Sequence, residues 1–299
     1  MRVLVLGASG LVGAAVAAAA RNRGHTVSAW GGSTPDALPP GCDRAVDLRS
    51  GEGLEALVAG EAPDALVNAA AVSHPAGVEA DPEGSWRLNV DLPGQLADGA
   101  RRWGIPLVQF SSDMVFPGGG QDFSPSDPPA PLHPYGEQKR AAEQRVAELH
   151  PGGSLVLRIT LVNGNSPRGR RSVHEKLLAA IAAGERPRLF RDEIRQPCAA
   201  GRVGEVVARL LETGAASGIY HWGGAETISR YELGRRILAR FGLSLDRVEP
   251  AELPPGRPGR LVLEDGGLGL RLGLGASTVE EQLAVLRQPP RLGEVGEAR

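Results

Sequence analysis

Two side-chain types that are scarce in this chain stand four positions apart. The 299 residues include 33 Lys and Arg side chains, of which only Lys139 and Lys176 are lysine, and three tyrosines, one of which is Tyr135. A polar helix is predicted from Tyr135 to about Leu149, and residues four apart share one face of a helix. A neighbouring ammonium stabilises tyrosinate and lowers the pKa of the phenol. Tyr135 and Lys139 therefore predict a general acid/base that works near neutral pH.

A serine hydroxyl is predicted to act with this pair. Ser112, which precedes Tyr135 by 23 residues, ends a strand pattern that starts at Ile105. From a strand end, its hydroxyl can hydrogen-bond the substrate oxygen that Tyr135 protonates while a nicotinamide delivers hydride to the carbon. The three side chains thus predict reduction of a carbonyl group. The alternative interpretation is the start of an amphipathic helix without chemistry.

A glycine-rich turn near the N-terminus is predicted to bind the dinucleotide. Val3 to Leu6 has a buried-strand pattern, and a glycine turn, a helix of small residues and a second strand to Trp30 follow it. Such a turn lets the backbone approach a pyrophosphate, and the helix start offers free N–H groups. The uncharged run from Val3 to Ala20 also resembles a signal peptide or short membrane span, but the strand–turn–helix–strand order favours a βαβ unit. The expected cofactor contacts in this turn are Gly7, Ser9, Gly10, Leu11, Val12 and Gly13.

The end of the second strand bears on the type of cofactor. Trp30 is followed by Gly31, Gly32 and Ser33, and the first acid is Asp36. A carboxylate at the strand end would bind the ribose 2′-hydroxyl of NAD. Its absence favours NADPH, with NADH as the alternative, although no arginine stands there to attract a 2′-phosphate. Further expected cofactor contacts are Ser33 and, after a predicted third strand, Asp47 near the adenine and Leu48.

Small side chains end the next predicted strand, which starts at Pro63. Ala69, Ala70 and Ala71 leave room there for a cofactor that lies across the edge of the sheet. Asn89 opens a predicted helix through Arg102, either as a cofactor contact or as a helix cap. Candidate substrate contacts are His74, Asp113, Met114 and Arg195.

These segments together resemble the extended short-chain dehydrogenase/reductase superfamily. More narrowly, the chain resembles the dTDP-4-dehydrorhamnose reductase family, which also includes a regulatory subunit of methionine adenosyltransferase. The resemblance implies that Ser112, Tyr135 and Lys139 are catalytic and that Lys139 contacts the nicotinamide ribose. It also implies that Arg195 borders the substrate pocket. Met114 departs from the family, which usually has an aromatic Tyr at that position. The resembling segments are GASGLVG, PDALVNAAA, LNV, FSSDMVF, YGEQK, RDEIRQP, GIYHWGGAETISRYELGRRILARFGL and RPGRLVLE.

The predicted fold class is α/β, a doubly wound parallel sheet (Rossmann) with a smaller C-terminal α/β substrate domain. Residues 1–161 are expected to form the NAD(P)-binding domain, with a return segment near 200–223. Residues 162–199 and 224–288 would form the substrate-binding domain, including a helix from Ile228 to Phe241, and 289–299 a flexible tail. The arginines of the loop 166–171 could clamp a diphosphate, but a solvated loop is favoured.

The predicted activity is NADPH-dependent reduction of a keto group on a nucleotide-activated sugar, most simply a dTDP-4-keto-6-deoxyhexose. One alternative is a reductase or epimerase of another keto substrate in a specialised biosynthetic pathway. A second alternative is a non-catalytic dinucleotide-binding regulatory subunit. Dehydration is disfavoured because Met114 stands where a dehydratase would add a second acid after Asp113.

Composition and charge limit the kinds of partner and cofactor that the protein is expected to bind. The formal net charge of −2 gives no basic field for nucleic acid or an anionic membrane. Cys42 and Cys198 show neither a metal spacing nor a disulfide framework, so reduced thiols in a cytoplasmic protein are expected. No metal site is expected. The sequence leaves the oligomeric state open, with a homodimer as one candidate.

Overall fold

A computed structural model describes residues 1–32, 38, 40–49, 53–214 and 217–288. The predictions for Ser33 and for the tail 289–299 lie outside these residues. The strands are β1 Arg2–Leu6, β2 Thr26–Trp30, β3 Ala65–Asn68, β4 Leu107–Ser112, β5 Ser154–Ile159, β6 Val162–Asn163, β7 Arg188–Phe190, β8 Ile194–Arg195, β9 Cys198–Ala199, β10 Gly218–Trp222, β11 Ile228–Ser229 and β12 Glu249–Ala251. The α-helices are α1 Leu11–Asn22, α2 Leu54–Glu61, α3 Pro75–Ala80, α4 Pro82–Trp86, α5 Leu92–Trp103, α6 Pro134–Leu149, α7 Val173–Ala182, α8 Ala200–Glu212, α9 Arg230–Arg240, α10 Leu268–Leu272 and α11 Val279–Ala284.

Six parallel strands form the central sheet, in the order β10-β5-β4-β3-β1-β2. The strands are runs of apolar residues because helices cover both faces of a parallel sheet. One face packs on α1 and α8 through side chains such as Val16 and Val207. The other face packs on α2, α5 and α6 through side chains such as Val58, Leu96 and Val146. The predicted doubly wound sheet is confirmed, and this sheet with its helices is called the main-sheet region below.

The order of the strands determines where a binding crevice lies. The chain crosses from β1 to β2 on one side and then returns over β1 to β3 on the other. In an open α/β sheet, ligands bind where the strand order reverses, beyond the carboxyl ends of the strands. In this sheet Leu6 and Asn68 are the facing residues at that point. The glycine turn that follows Leu6 therefore stands at the mouth of the crevice.

The predicted third strand is wrong. Only a single bridge, Trp30 to Arg44, extends the sheet beyond β2 among the described residues. The Gly31 amide donates to the Arg44 carbonyl oxygen at 2.9 Å, and the Arg44 guanidinium lies 5.2 Å from the Trp30 ring centroid. Residues 40–49 contain Gly41 in a left-handed conformation and no run of apolar residues long enough for a strand. The structure thus brings to the end of β2 an arginine that the sequence analysis had not placed there.

The alanine-rich run near the N-terminus forms a helix contact rather than a membrane segment. In α1, Val16, Ala17 and Ala20 are buried, and Gly204 of α8 lies against the Ala15 carbonyl oxygen so closely that a Cβ atom would collide with it. Small side chains therefore allow α1 and α8 to approach closely. In the described part of the chain, no helix is long and apolar enough to cross a membrane.

A second group of elements surrounds three two-stranded sheets, β6–β9, β7–β12 and β8–β11, and is called the small-sheet region below. Helices α7, α9 and α11 enclose an apolar core that includes Leu177, Ile237 and Leu283. The predicted start of the helix at Ile228 is wrong, because Ile228 and Ser229 pair with β8 and α9 begins at Arg230. The Ser229 hydroxyl accepts a hydrogen bond from the Glu232 amide at 3.0 Å and so caps α9.

Candidate active site

The start of α6 holds Tyr135 against the end of β4. Pro134 occupies the first turn, and the Nδ1 atom of the preceding His133 accepts a hydrogen bond from the Gly136 amide at 3.1 Å. A Cβ atom at Gly136 would collide with the Met114 carbonyl oxygen, so glycine lets the helix start press on the turn after β4. Tyr135 and Lys139 are both buried as a result.

Ser112 stands at the carboxyl end of β4, as the sequence predicts. Its hydroxyl donates to Asp113 Oδ1 at 2.9 Å and accepts a hydrogen bond from the Met114 amide at 3.2 Å. The same hydroxyl lies close enough to Tyr135 to lower the pKa of the phenol. The structure therefore brings Ser112, Asp113 and Tyr135 into one cluster.

The prediction of a lowered Tyr135 pKa is wrong. Burial raises the pKa of this phenol, the charge of Asp113 raises it further, and the hydrogen bond with Ser112 only partly offsets the two. The Lys139 ammonium donates instead to the Phe110 carbonyl oxygen at 3.2 Å, and it lies 6.0 Å from the centroid of the Tyr135 ring. Tyr135 therefore keeps its proton at neutral pH, which is the state needed to protonate a carbonyl oxygen.

Two more buried groups beside the phenol have shifted pKa values. Burial raises the pKa of Asp113 to about 6, although the Arg195 charge and the Ser112 hydrogen bond lower it. Burial lowers the pKa of Lys139 to about 8, against the opposing effect of the Glu143 charge. Clustered shifts of this kind are typical of active sites, where charged groups are held out of water for chemistry.

The glycine turn fits the pyrophosphate of a dinucleotide. Gly7 has φ +81°, and a Cβ atom there would lie 2.5 Å from the Ala70 amide nitrogen, so only glycine lets the turn meet the strand β3. Gly10 caps α1 without a side-chain hydrogen bond, and the first turn of α1 contains no acid. The first amides of a helix need acceptors, and here they face the crevice with the positive end of the helix dipole.

The other expected cofactor contacts divide into two groups. Ser9 lies against Gly31 at the end of β2, and Ala69 to Ala71 follow β3 at the crevice. Leu48 is buried in the core on the α2 face instead, while Asp47 is exposed and its Oδ1 accepts a hydrogen bond from the Arg49 amide. Within the glycine turn, Leu11 lies beside Gly164 and Val12 packs on the core under α1, so their backbone amides are what they offer to a ligand.

Asn89 connects two segments of the chain by hydrogen bonds and is not a helix cap. It lies in a π-helical turn, Arg87–Asp91, between α4 and α5. Its amide nitrogen donates to the Val72 carbonyl oxygen and to Gln138 Oε1, and its oxygen accepts a hydrogen bond from the Val72 amide. Asn89 thus ties the segment after β3 to the catalytic helix α6.

The expected substrate contacts lie on several elements. Met114 packs against an apolar cluster that includes Phe116 and Phe123. His74 is exposed and caps α3 by accepting a hydrogen bond from the Gly77 amide at 2.8 Å. Arg195 is buried, forms an ion pair with Glu193 at 3.1 Å and is close enough to Asp113 for its charge to lower the pKa of that carboxyl. The structure therefore brings Arg195 and Asp113 together and leaves His74 at the surface.

A second arginine near Arg195 was missed by the sequence analysis. The Nη1 atom of Arg230 is buried and has no hydrogen-bond partner among the described residues. Burial lowers the pKa of Arg230, the Glu193 charge opposes this, and the charges of Arg195 and Arg257 lower it further. Arg230 lies in a helix rich in outward arginines, so no pattern separates it from its neighbours. Only the pairing of β11 with β8 places it beside Arg195.

In the part of the chain that the structure describes, no group of three or more His, Cys, Asp or Glu side chains is arranged to hold a metal ion.

Comparison with known proteins gives the family and the fold of the chain. A family model described as the RmlD substrate binding domain matches residues 1–259. The probable low-salt glycan biosynthesis reductase Agl14 of Haloferax volcanii is 30% identical over 298 residues, 96% of this chain and 97% of that protein. Methionine adenosyltransferase 2 subunit beta of Pongo abelii is 31% identical over 255 residues, 83% of this chain and 75% of that protein.

A bacterial reductase and a solved structure extend the comparison. The dTDP-4-dehydrorhamnose reductase of Streptomyces griseus is 30% identical over 225 residues, 74% of this chain and 69% of that protein. The crystal structure of dTDP-4-dehydrorhamnose reductase from Bacillus anthracis in complex with NADP superposes with a TM-score of 0.77 at 20% identity, covering 94% of this chain and 96% of that chain. At that identity the superposition shows the shared fold.

Proposed function

The chain belongs to the RmlD substrate binding domain family, and we propose that it is an NADPH-dependent reductase of a keto group on a nucleotide-activated sugar, most simply a dTDP-4-keto-6-deoxyhexose. The observation that carries this proposal is the cluster of Ser112, Tyr135 and Asp113 at the carboxyl end of β4. The predicted resemblance to the extended short-chain dehydrogenase/reductase superfamily is confirmed by the family match.

The protonated phenol favours the reductive direction. When bound, the dinucleotide supplies the hydride that the keto carbon accepts. Tyr135 donates its proton to the keto oxygen, which Ser112 positions by a hydrogen bond, and the product is an alcohol. The phenolate that remains lies near the Lys139 ammonium, whose charge stabilises it until a proton from solvent restores Tyr135.

The arginines of the small-sheet region support an anionic substrate. Arg230 presents a buried nitrogen without a partner among the described residues, and Arg195 and Arg257 lie nearby. Guanidinium groups bind phosphate oxygens with paired hydrogen bonds. A nucleoside diphosphate would supply the acceptors that Arg230 lacks and would balance the positive charge of the three side chains.

Two observations support NADPH as the cofactor. Among the described residues that directly follow β2, Trp30 leads into Gly31 and Gly32 rather than into a carboxylate that would bind a ribose 2′-hydroxyl. The Bacillus anthracis reductase, which shares the fold, binds NADP. NADH remains the alternative cofactor, because the Arg44 guanidinium already stacks on Trp30 and lies 3.8 Å from Glu61.

The likeness to methionine adenosyltransferase 2 subunit beta supports a second candidate, a dinucleotide-binding subunit without turnover. The retained cluster of Ser112, Tyr135 and Lys139 favours the reductase. Following NADPH oxidation by absorbance against a panel of nucleotide-linked ketosugars, with NADH in parallel, separates the two. Turnover of a ketosugar supports the reductase, whereas tight NADPH binding without turnover of any of them assigns the chain to the second candidate.

A further inference from the structure

A buried ion pair that the proposed reaction does not use lies beneath the catalytic residues. Arg158 on β5 and Glu143 on α6 are 1% and 5% exposed. Arg158 donates from Nε to Glu143 Oε1 at 2.9 Å and from Nη2 to Oε2 at 2.7 Å. Two parallel hydrogen bonds of this kind fix the orientation of both side chains. A buried ion pair adds little net stability compared with packed apolar side chains, which directs attention to the groups that this pair holds.

The pair ties the catalytic helix to the catalytic strand. Glu143 Oε1 also accepts a hydrogen bond from the Ser111 hydroxyl, and Ser111 immediately precedes Ser112. The Lys139 ammonium donates to the carbonyl oxygen of Phe110, one residue earlier. Three consecutive residues of β4 therefore meet α6: Phe110 meets Lys139, Ser111 meets Glu143 and Ser112 meets Tyr135. These three residues of α6 are spaced by four positions and lie on one face of the helix.

The side of Arg158 that faces away from Glu143 is also in contact with protein groups. Its Nη1 atom lies 3.3 Å from His221 Nε2, and its guanidinium lies 5.0 Å from the centroid of the Phe116 ring. His221 in turn hydrogen-bonds the Phe123 carbonyl oxygen through Nδ1 at 3.2 Å. Burial and the Arg158 charge hold the pKa of His221 at about 4, so this imidazole is neutral and accepts the Arg158 hydrogen bond.

The titratable and charged groups around Lys139 come from several elements. Tyr135 and Glu143 lie on its own helix, Asp113 follows β4, Arg158 lies on β5 and His221 on β10. Burial lowers the pKa of Lys139, and the charge of Glu143 is the effect that raises it. The variant Glu143→Gln would remove the charge that opposes the effect of burial on this ammonium.

We propose that Glu143 and Arg158 are a positioning pair for the reductase reaction: they hold Lys139 and Ser112 in one arrangement, with the Glu143 carboxylate one helical turn from the buried Lys139 ammonium. The inference rests on the proposed function for its activity readout only. The state of Lys139 can be measured without substrate or cofactor.

The scarcity of lysine makes that measurement direct. Lysine labelled with carbon-13 beside the ammonium gives signals from only Lys139 and Lys176, and the variant Lys176→Arg identifies them by removing one. We expect Lys139 to titrate near pH 8 in the unaltered protein. In Glu143→Gln we expect its midpoint to fall by about one unit or more, because a unit charge roughly 6 Å away is lost at an effective dielectric constant of about 20.

Two further variants separate this effect from a loss of folding. In Glu143→Gln with Arg158→Met, the charge of Arg158 is removed as well, so the Lys139 midpoint should lie between those of Glu143→Gln and the unaltered protein. This variant decides the question if Glu143→Gln does not fold, since a midpoint below that of the unaltered protein supports the proposal. Glu148→Gln, the same change at an exposed position of α6, should leave the midpoint unchanged.

An unchanged Lys139 midpoint in both Glu143 variants would overturn the proposal, as would a midpoint near that of free lysine in the unaltered protein. In the activity arm, the alkaline limb of kcat should move to lower pH in Glu143→Gln together with the Lys139 midpoint, while KM changes little. If the unaltered protein reduces no ketosugar, the proposed function fails, and the titration still decides the role of the pair.

Discussion

In the main-sheet region the buried guanidinium of Arg158 is held by both oxygens of Glu143, whereas in the small-sheet region the buried Nη1 of Arg230 has no partner among the described residues. The first cation also meets His221 and Phe116, so each side of it is in contact with protein. Burial lowers the pKa of the second, the Glu193 charge opposes this, and the charges of Arg195 and Arg257 lower it further. These two buried arginines are therefore held in opposite ways.

The difference indicates that the two regions have separate roles in the reaction. A cation with a complete set of partners fixes geometry, which suits the region that carries the proton donor Tyr135. A buried donor without a partner costs about 1–3 kcal/mol, and a bound anion removes that cost. We therefore expect substitutions in the main-sheet region to change kcat and substitutions around Arg230 to change KM.

The largest effect is expected from Tyr135→Phe. The substitution removes the proton that the keto oxygen receives and keeps the ring that is packed at the start of α6. Steady-state kinetics should show kcat lower by about a hundredfold to ten-thousandfold, with KM nearly unchanged. Tyr220→Phe is the matched control, because that hydroxyl donates to the Ser217 carbonyl oxygen away from the cluster. A fully active Tyr135→Phe would remove the assignment of the acid.

Arg230→Met tests the other side of the comparison. If Arg230 binds the diphosphate of the substrate, KM should rise by about tenfold to a hundredfold, since a hydrogen bond to a charged group contributes about 1.5–3 kcal/mol. The control is Arg235→Met on the same helix, where the guanidinium pairs with Glu232 at the surface. A change confined to kcat in Arg230→Met, with KM unaltered, would contradict the division between the two regions.

Sequence reasoning reached most of the main-sheet region. The glycine turn, the strand that ends at Ser112 and the helix that starts at Tyr135 are encoded by local patterns, and the structure contains each of them. A spacing of four positions is enough to place Tyr135 and Lys139 on one helix face. It did not give the direction of the Tyr135 pKa shift, because burial and the nearby Asp113 depend on how α6 packs on β4.

The small-sheet region was much less predictable. Its sheets have two or three residues in each strand, too few to show a period of two along the chain. Ile228 and Ser229 were therefore assigned to a helix, although their pairing with β8 decides their conformation. The same pairing places Arg230 beside Arg195, so the arginine cluster depends on contacts between distant segments and leaves no local signal.

Asp113→Asn should stabilise the protein and lower its activity. The pKa of this buried carboxyl is raised to about 6, so the folded state favours its protonated form. The stability it contributes is present below about pH 4 and is lost as the pH rises through 6. An amide avoids that loss, and urea unfolding at neutral pH should show a gain of about 1–3 kcal/mol. The gain should vanish near pH 4.

Asp64→Asn is the control for this prediction, because the Arg2 amide hydrogen bond lowers the pKa of that exposed carboxyl. It should give no gain in stability at any pH. If Asp113→Asn destabilises the protein at neutral pH as much as at pH 4, the buried, ionised carboxylate of Asp113 does not lower the stability of the protein.

The smallest effect is expected from Lys176→Arg. The substitution tests the difference between the two lysines of the chain, one of which lies in each region. Lys139 is buried, and its ammonium donates to the Phe110 carbonyl oxygen, a contact made by a compact ammonium rather than by the larger, planar guanidinium of arginine. Lys176 has an exposed side chain on α7, although partial burial of its ammonium and the charges of Arg171 and Arg230 lower its pKa; arginine there keeps both the charge and the helix propensity. We therefore expect kcat/KM within about twofold and stability within about 0.5 kcal/mol of the unaltered protein. A large loss of activity in Lys176→Arg would mean that the small-sheet region also positions a compact ammonium, and that the separation of chemistry from binding between the two regions is incomplete.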